Sequence, residues 1–256
     1  MIRREFSEGW YLFTQYDHSL LSGEIMQHWG NKTFTKIDSV HRLIYAITNH
    51  DMGWRDWDSS PRINPENKFP ASFIDMYPEE QHVIWSKCFE NMPDEYAYSS
   101  ALVALHFSTF NNNLLTANPG NEDLINFRNK LYSHVSGILN IDPGSIDKHL
   151  PDEVQRGLKY IQIGDIISLA FCNGWESITI KDAPVDHDGE NSDLALGSRD
   201  GLNYTVHPYP FAESKIEFSI EAVKIKGKEF DTNLELLTAI KNGEKTNFTF
   251  ILEEHA

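Results

Sequence analysis

Histidines and carboxylates at core-facing positions are the residues of this sequence best placed to do chemistry. His50 and Asp51 stand where the apolar run in SVHRLIYAITNHDMGWRDWD stops. Val40, Leu43, Ile44 and Ile47 recur at helical spacing and mark a buried stripe. His50 and Asp51 follow Ile47 by three and four residues, so both lie on or beside the inward face. A charged carboxylate there needs a partner. On its own the pair would read as a core histidine bonded to a capping aspartate. An imidazole beside a carboxylate is also half of a metal site.

The chain repeats the pattern elsewhere. His18 falls in the first turn of a helix whose Leu20, Leu21, Ile25, Met26 and Trp29 share a face. His82 lies on PEEQHVIWSKCFENM, near its start. His106 sits inside ALVALHFSTF, four residues after Leu102, and Asp165 falls four after Ile161 and four before Leu169. One buried histidine would be ordinary. Four of them with two carboxylates, in a chain holding 11 His, point to a divalent transition metal such as Fe, Mn or Zn, as one ion or two. A helical bundle can aim one or two ligands from each helix at a common centre.

These residues need helices to position them. The pattern predicts a short aromatic strand over 9–16, then a helix capped by Asp17 or Ser19 and ended by Gly30. A second helix is capped by Asp38. The stretch GWRDWDSSPRINPENKFPASFIDMYP, with its four prolines, reads as an irregular lid holding Trp54, Arg55, Trp57 and Arg62. Asp56 and Asp58 read as solvated carboxylates within it. Pro78 opens a third helix. A fourth runs over roughly 95–110 until Asn111–Asn113 break it; a fifth holds Leu124 to Ile138, and a sixth starts at Pro151-Asp152. Beyond Gly174 the period becomes two, in SITI, NYTV and KIEFSIEAVKI. Residues 183–201 read as a flexible acidic connection, TNLELLTAIKNG as a helix and TNFTFIL as a last strand. The expected architecture is mainly α: a helical metal-binding domain over 1–175 and a small α+β part of antiparallel strands and a helix over 176–256.

Composition narrows the partners. A formal charge of -16 disfavours nucleic acid and anionic membrane, while a bound cation still permits a small anionic substrate. Two distant cysteines give neither a disulfide framework nor a zinc motif. MIRREFSEGWYLFTQ lacks a signal-type apolar core, and no run approaches ~18 apolar residues, so a cytoplasmic protein is expected. Walker, Rossmann and G-x-S-x-G patterns are missing. The sequence leaves the oligomeric state open.

The order His18, His50-Asp51, Asp165 resembles the signature of the HD superfamily of metal-dependent phosphohydrolases. HDMG is similar to the HD-x-G form of the dipeptide, and GDIISL to the helix bearing the last aspartate. The resemblance implies an HD-like helical bundle in which His18, His50, Asp51 and Asp165 hold a first ion. His82 and His106 would extend the site to a second. It implies hydrolysis of a phosphate ester or nucleotide by metal-activated water, with Asp51 catalytic and bridging. Arg55 or Arg62 would then neutralise the substrate phosphate. The mixed-valence diiron oxygenases use the same six-ligand plan and are the alternative activity. A non-catalytic metal-binding or interaction module is the alternative from another class. The branch that cleaves cyclic dinucleotides usually has a lysine where Trp54 stands, and a GYP signature this chain lacks. The stretches TQYDHSLLSGEIMQHWG, NHDMGWRDWD, ALHFS and HPYPF also resemble an uncharacterised family of bacterial proteins.

Overall fold

The first apolar residues of the chain form strands. β1 (Ile2–Phe6) and β2 (Gly9–Phe13) pair as a hairpin, with Ile2 opposite Phe13 and Phe6 opposite Gly9. α1 (Gln15–Gln27) begins at once, capped by Thr14, whose Oγ1 accepts from the Asp17 backbone N at 2.9 Å. The cap is therefore neither Asp17 nor Ser19. The helix closes at His28, and Gly30, with φ +110°, turns the chain away.

α2 (Val40–Asn49) carries the stripe that leads to His50. The structure, a computed structural model, describes residues 1–38 and 40–254. Ser39, which immediately precedes α2, lies outside them. The Asp38 carboxylate meets His187 Nδ1 at 3.0 Å. The proline-rich stretch is ordered locally. It holds a 3-10 turn at Met52–Trp54, the short α3 (Arg55–Ser59), and a second 3-10 turn at Phe73–Asp75 held by a Ser72/Asp75 capping box.

α4 (Pro78–Glu90) starts on its proline. α5 (Ala97–Ala117) continues through the three asparagines. Asn111 Nδ2 donates to the Leu124 carbonyl at 3.0 Å and Asn112 Nδ2 to the Tyr132 hydroxyl at 2.9 Å, so tertiary bonds override their weak helix propensity. α6 (Glu122–Leu139) and α7 (Asp152–Asn173) follow, α7 ending on the left-handed Gly174.

The remaining strands are β3 (Ser177–Pro184), β4 (Asn191–Ser198), β5 (Asn203–His207), β6 (Lys215–Lys226) and β7 (Glu244–Glu254), with α8 (Asn233–Lys241) before the last. β3 and β4 thus take up most of the supposed flexible connection over 183–201. All seven strands join one mixed sheet in the order β1-β2-β6-β7-β5-β4-β3, with β5 and β7 parallel.

This arrangement corrects the mainly α reading with its HD-like helical bundle and small β part. The chain is about 49% helix and 23% strand, an α/β fold. The N-terminal hairpin enters the sheet through β2, which pairs with β6. In β6, Ile216, Phe218, Ile220 and Ala222 turn toward the helices while Lys215, Glu217, Ser219 and Glu221 face solvent. Past Ala222 the buried parity changes. Ile225 joins Trp10, Leu12, Phe230 and Leu236 in a second apolar cluster, to which α8 contributes Leu236. α7 is fastened to the sheet by Phe171, whose ring lies 4.6 Å from Tyr204 and 4.9 Å from Phe250, and by the Tyr204 hydroxyl donating to the Ala170 carbonyl at 2.9 Å. No helix among the described residues is long and apolar enough to cross a membrane.

Candidate metal centre

α1, α2, α5 and α7 converge where two glycines let backbones approach. A Cβ on Gly23 of α1 would stand 2.0 Å from Thr48 Oγ1 of α2. One on Gly164 of α7 would stand 2.9 Å from Met26 Cγ and 3.1 Å from Ile47 Cγ2. The next residue after Gly164 is Asp165.

His18, His50, Asp51, His106 and Asp165 meet at this convergence, each buried, with exposures of 0–5%. His18 Nε2 lies 3.1 Å from Asp51 Oδ2 and 3.5 Å from Asp165 Oδ1. His50 Nε2 lies 3.7 Å from Asp51 Oδ2 and 3.5 Å from Asp165 Oδ1. His106 Nε2 lies 3.5 Å from the other Asp165 oxygen, Oδ2. Ligand atoms of His18, His50 and Asp51 fall within 4.8 Å of one another, as do those of His50, His106 and Asp165.

The hydrogen bonds behind the rings set their tautomers. The Ser168 hydroxyl donates to the Asp165 carbonyl at 2.9 Å. Its single proton is thereby used, so it accepts from His18 Nδ1 at 2.7 Å and from Ser22 at 2.7 Å. His50 Nδ1 donates to the Ile47 carbonyl at 2.7 Å. In their neutral forms both rings turn a bare Nε2 lone pair to the centre, alongside two carboxylates. Such a cluster of acceptors coheres only around protons or a cation. His50 Nε2 and His106 Nδ1 are buried without a hydrogen-bond partner among the described residues.

Electrostatics agree with a site built for positive charge. Burial works against a charge on His50, but the Asp51 and Asp165 carboxylates and the Ile47 carbonyl raise it to about 9. Burial likewise opposes ionisation of Asp165. The His106 and His50 imidazoles facing its two oxygens win, holding its carboxyl well below the usual range.

The buried donors could hold a metal ion. Ligand bonds of ~2.1 Å give neighbouring ligand atoms ~3.0–3.4 Å apart in octahedral or tetrahedral geometry. The contacts of His18 and His50 with Asp51 and Asp165 run from 3.1 to 3.7 Å. His50 belongs to both ligand groups, and one lone pair serves one ion. A second ion would find only His106 and Asp165 Oδ2.

His82 does not join. It lies at the first turns of α4, half-buried, its ring stacked on Phe127 at 3.9 Å and 11°, because Phe127 of α6 offers an apolar face there. Arg55 is exposed, with its guanidinium 3.8 Å over the Tyr16 ring, and Arg62 pairs with Glu80 at 2.8 Å. Neither lines the cavity described below. Asp56 is exposed and pairs with Lys87 at 2.7 Å. Asp58, by contrast, is turned inward. It accepts from the backbone N of Gln15 at 2.8 Å and of Tyr16 at 3.3 Å, so it anchors the start of α1.

Gln15, Ser22 and Ser168 were not singled out from the sequence. Ser168 lies three residues after Asp165 and Ser22 four after His18, so helical spacing alone placed them on the ligand face. Gln15 is 4% exposed and donates Nε2 to Asp51 Oδ2 at 3.4 Å, leaving Oε1 without a partner among the described residues. No periodic signal marks it.

A cavity of about 590 Å³ opens beside the centre, lined by Gln15, His50, Asp51, His106 and Asp165 and by apolar side chains that include Trp85 and Phe110. His18 is not among its lining residues. No curated protein and no solved structure matches the chain. A family described as protein of unknown function (DUF3891) matches residues 1–227, and the chain belongs to it.

Proposed function

We propose that this protein is a metal-dependent hydrolase working in the manner of the HD superfamily, with phosphate esters as the reaction class the resemblance points to. The observation that carries the reading is two overlapping groups of buried ligand atoms, His18/His50/Asp51 and His50/His106/Asp165, beside a cavity of about 590 Å³. A divalent ion held there would polarise the substrate and bring the pKa of a bound water toward neutrality. Asp51, which faces both His18 and His50 and lines the cavity, would help hold the ion and would stand ready to orient a water and accept its proton. Gln15 holds Asp51 through Nε2 and keeps Oε1 free to accept a hydrogen bond. His106 lines the cavity, and its unpartnered Nδ1 is left to accept a hydrogen bond from substrate.

One ion is favoured over two because His82 lies outside the cluster. The six-ligand plan of the diiron oxygenases is then a ligand short, which speaks for hydrolysis over oxygen chemistry. Metal analysis of purified protein beside His50→Ala is the first test, followed by phosphomonoesters, nucleotides and phosphodiesters assayed against Asp51→Ala. The expected result is one equivalent of transition metal lost in His50→Ala, and metal-dependent turnover lost in Asp51→Ala. Wild-type protein without metal, or turnover unchanged by Asp51→Ala, would sink the reading.

A further inference from the structure

The cavity beside the centre carries little positive charge. Asp51 and Asp165 bring two negative charges, and His18 and His50 coordinate as neutral rings because Nδ1 keeps its proton on Ser168 and Ile47. A divalent ion cancels the carboxylates and leaves no surplus. No lysine or arginine among the described residues lines the cavity. Arg62 pairs with Glu80, Lys87 with Asp56 and Lys130 with Glu90, while Arg55 lies over Tyr16. The chain's charge of -16 adds a repulsive background for polyanions.

The walls suit an apolar body. Trp54, Trp85, Phe107, Ile166 and Leu169 line the cavity, and Ile74 and Phe110 line it while remaining 71% and 40% exposed. Large apolar side chains left in water beside a cavity mark a ligand surface. Two of the polar lining residues are already spent. Gln81 Nε2 donates to the Phe73 carbonyl at 2.8 Å, and Gln162 Nε2 to Thr109 Oγ1 at 3.3 Å. Of the buried unpartnered polar atoms on lining residues, Gln15 Oε1, His50 Nε2 and His106 Nδ1 belong to the residues around the centre, and Trp54 Nε1 adds a single donor on the aromatic wall.

Resting on the metal-centre reading above, we propose that the cavity takes an amphiphile. Its apolar body lies against the aromatic walls, and a head with a single negative charge, as in an aryl or alkyl phosphodiester, sits at the centre. Dianionic monoesters and nucleotides are discriminated against, since a charge-neutral centre with no basic residue beside it cannot match their charge.

Binding tests this without any turnover. Trp54 and Trp85 line the cavity, so their fluorescence in metal-loaded protein reports three probes: diphenyl phosphate, phenyl phosphate and adenosine monophosphate. Diphenyl phosphate should bind at least about tenfold tighter than either of the others. Phe110→Glu should weaken it by about tenfold at unchanged metal content. Leu114→Lys, at a half-buried lining position that tolerates a long side chain, should draw phenyl phosphate up toward parity. Tighter binding of phenyl phosphate or adenosine monophosphate, or diphenyl phosphate binding indifferent to both substitutions, would overturn the proposal. Diphenyl phosphate binding as expected with no ester turned over would sink the hydrolase reading and leave the amphiphile cavity standing.

Discussion

Ser168 makes no contact with a substrate, yet it decides what His18 can do. With its own proton on the Asp165 carbonyl, it fixes His18 as an Nδ1 donor. Ser168→Ala should therefore lower metal affinity by about 10–100-fold, measured by competition with a chelator, while the fold persists. His50 supplies a second expectation. Its imidazole is raised to about 9 in the metal-free protein, so at neutral pH an incoming ion must displace a proton. Calorimetric titration in buffers of different ionisation enthalpy should show net proton release at pH 7, and affinity should rise with pH up to about 9. Stability of the metal-free protein runs the other way. The folded-state pKa of His50 lies above its ordinary 6.5, so its contribution is complete below that pH and fades as pH climbs through about 9. Asp165 is depressed below its ordinary 3.8, so its contribution is present above that value and lost as pH falls. Thermal unfolding of chelator-treated protein should be most resistant between about pH 4 and 6.5. A maximum above pH 8 would contradict the charges assigned to the pair.

Among the elements, the contact of α1 with α2 sets how near His18 comes to His50 and Asp51. Gly23→Ala drives a methyl into Thr48, at 2.0 Å from Oγ1, and should cost ~1–3 kcal/mol while weakening metal binding. Gly137→Ala at an exposed position of α6, with nothing within 4 Å, should instead stabilise by up to ~1 kcal/mol and leave the metal untouched. The two melting curves make the comparison. Helices were the legible part of this chain because their apolar period survives in sequence. His18, His50, His106 and Asp165 could each be read as inward from a neighbour three or four residues away. His82 was the least secure by periodicity, placed only near the start of its helix, and what lay opposite was Phe127, a fact of tertiary packing. Asp58 read as a solvated loop carboxylate because its partners are backbone N–H groups at the start of α1, far off in sequence. The asparagines at the middle of α5 misled for a related reason: their bonds go to α6.

At the scale of the whole molecule, the sheet was the illegible part. β1 is short and half polar, and its place is set by a hairpin that borrows β6 from the far end of the chain. Strand alternation after Gly174 was visible, but no local pattern reveals that those strands extend a sheet begun by β1 and β2. β7 lies between β6 and β5 and supplies Phe250 and Leu252 to the core. A chain cut after Gly227 would retain every ligand of the centre yet lose that strand. It should fail to give a cooperative melt and should bind no stoichiometric metal. A soluble, metal-loaded product from that truncation would show that the helices stand alone. The same ordering bears on synthesis. Gly9 waits for Lys226, and β6 waits for β7, before the apolar face of the helices has its cover. All ligands of the centre emerge from the ribosome well ahead of that cover, so nascent chains expose a half-roofed core for most of their translation. Metal loading would then follow the synthesis of β7, and slowing translation near residue 200 should prolong exposure to chaperones rather than hasten maturation.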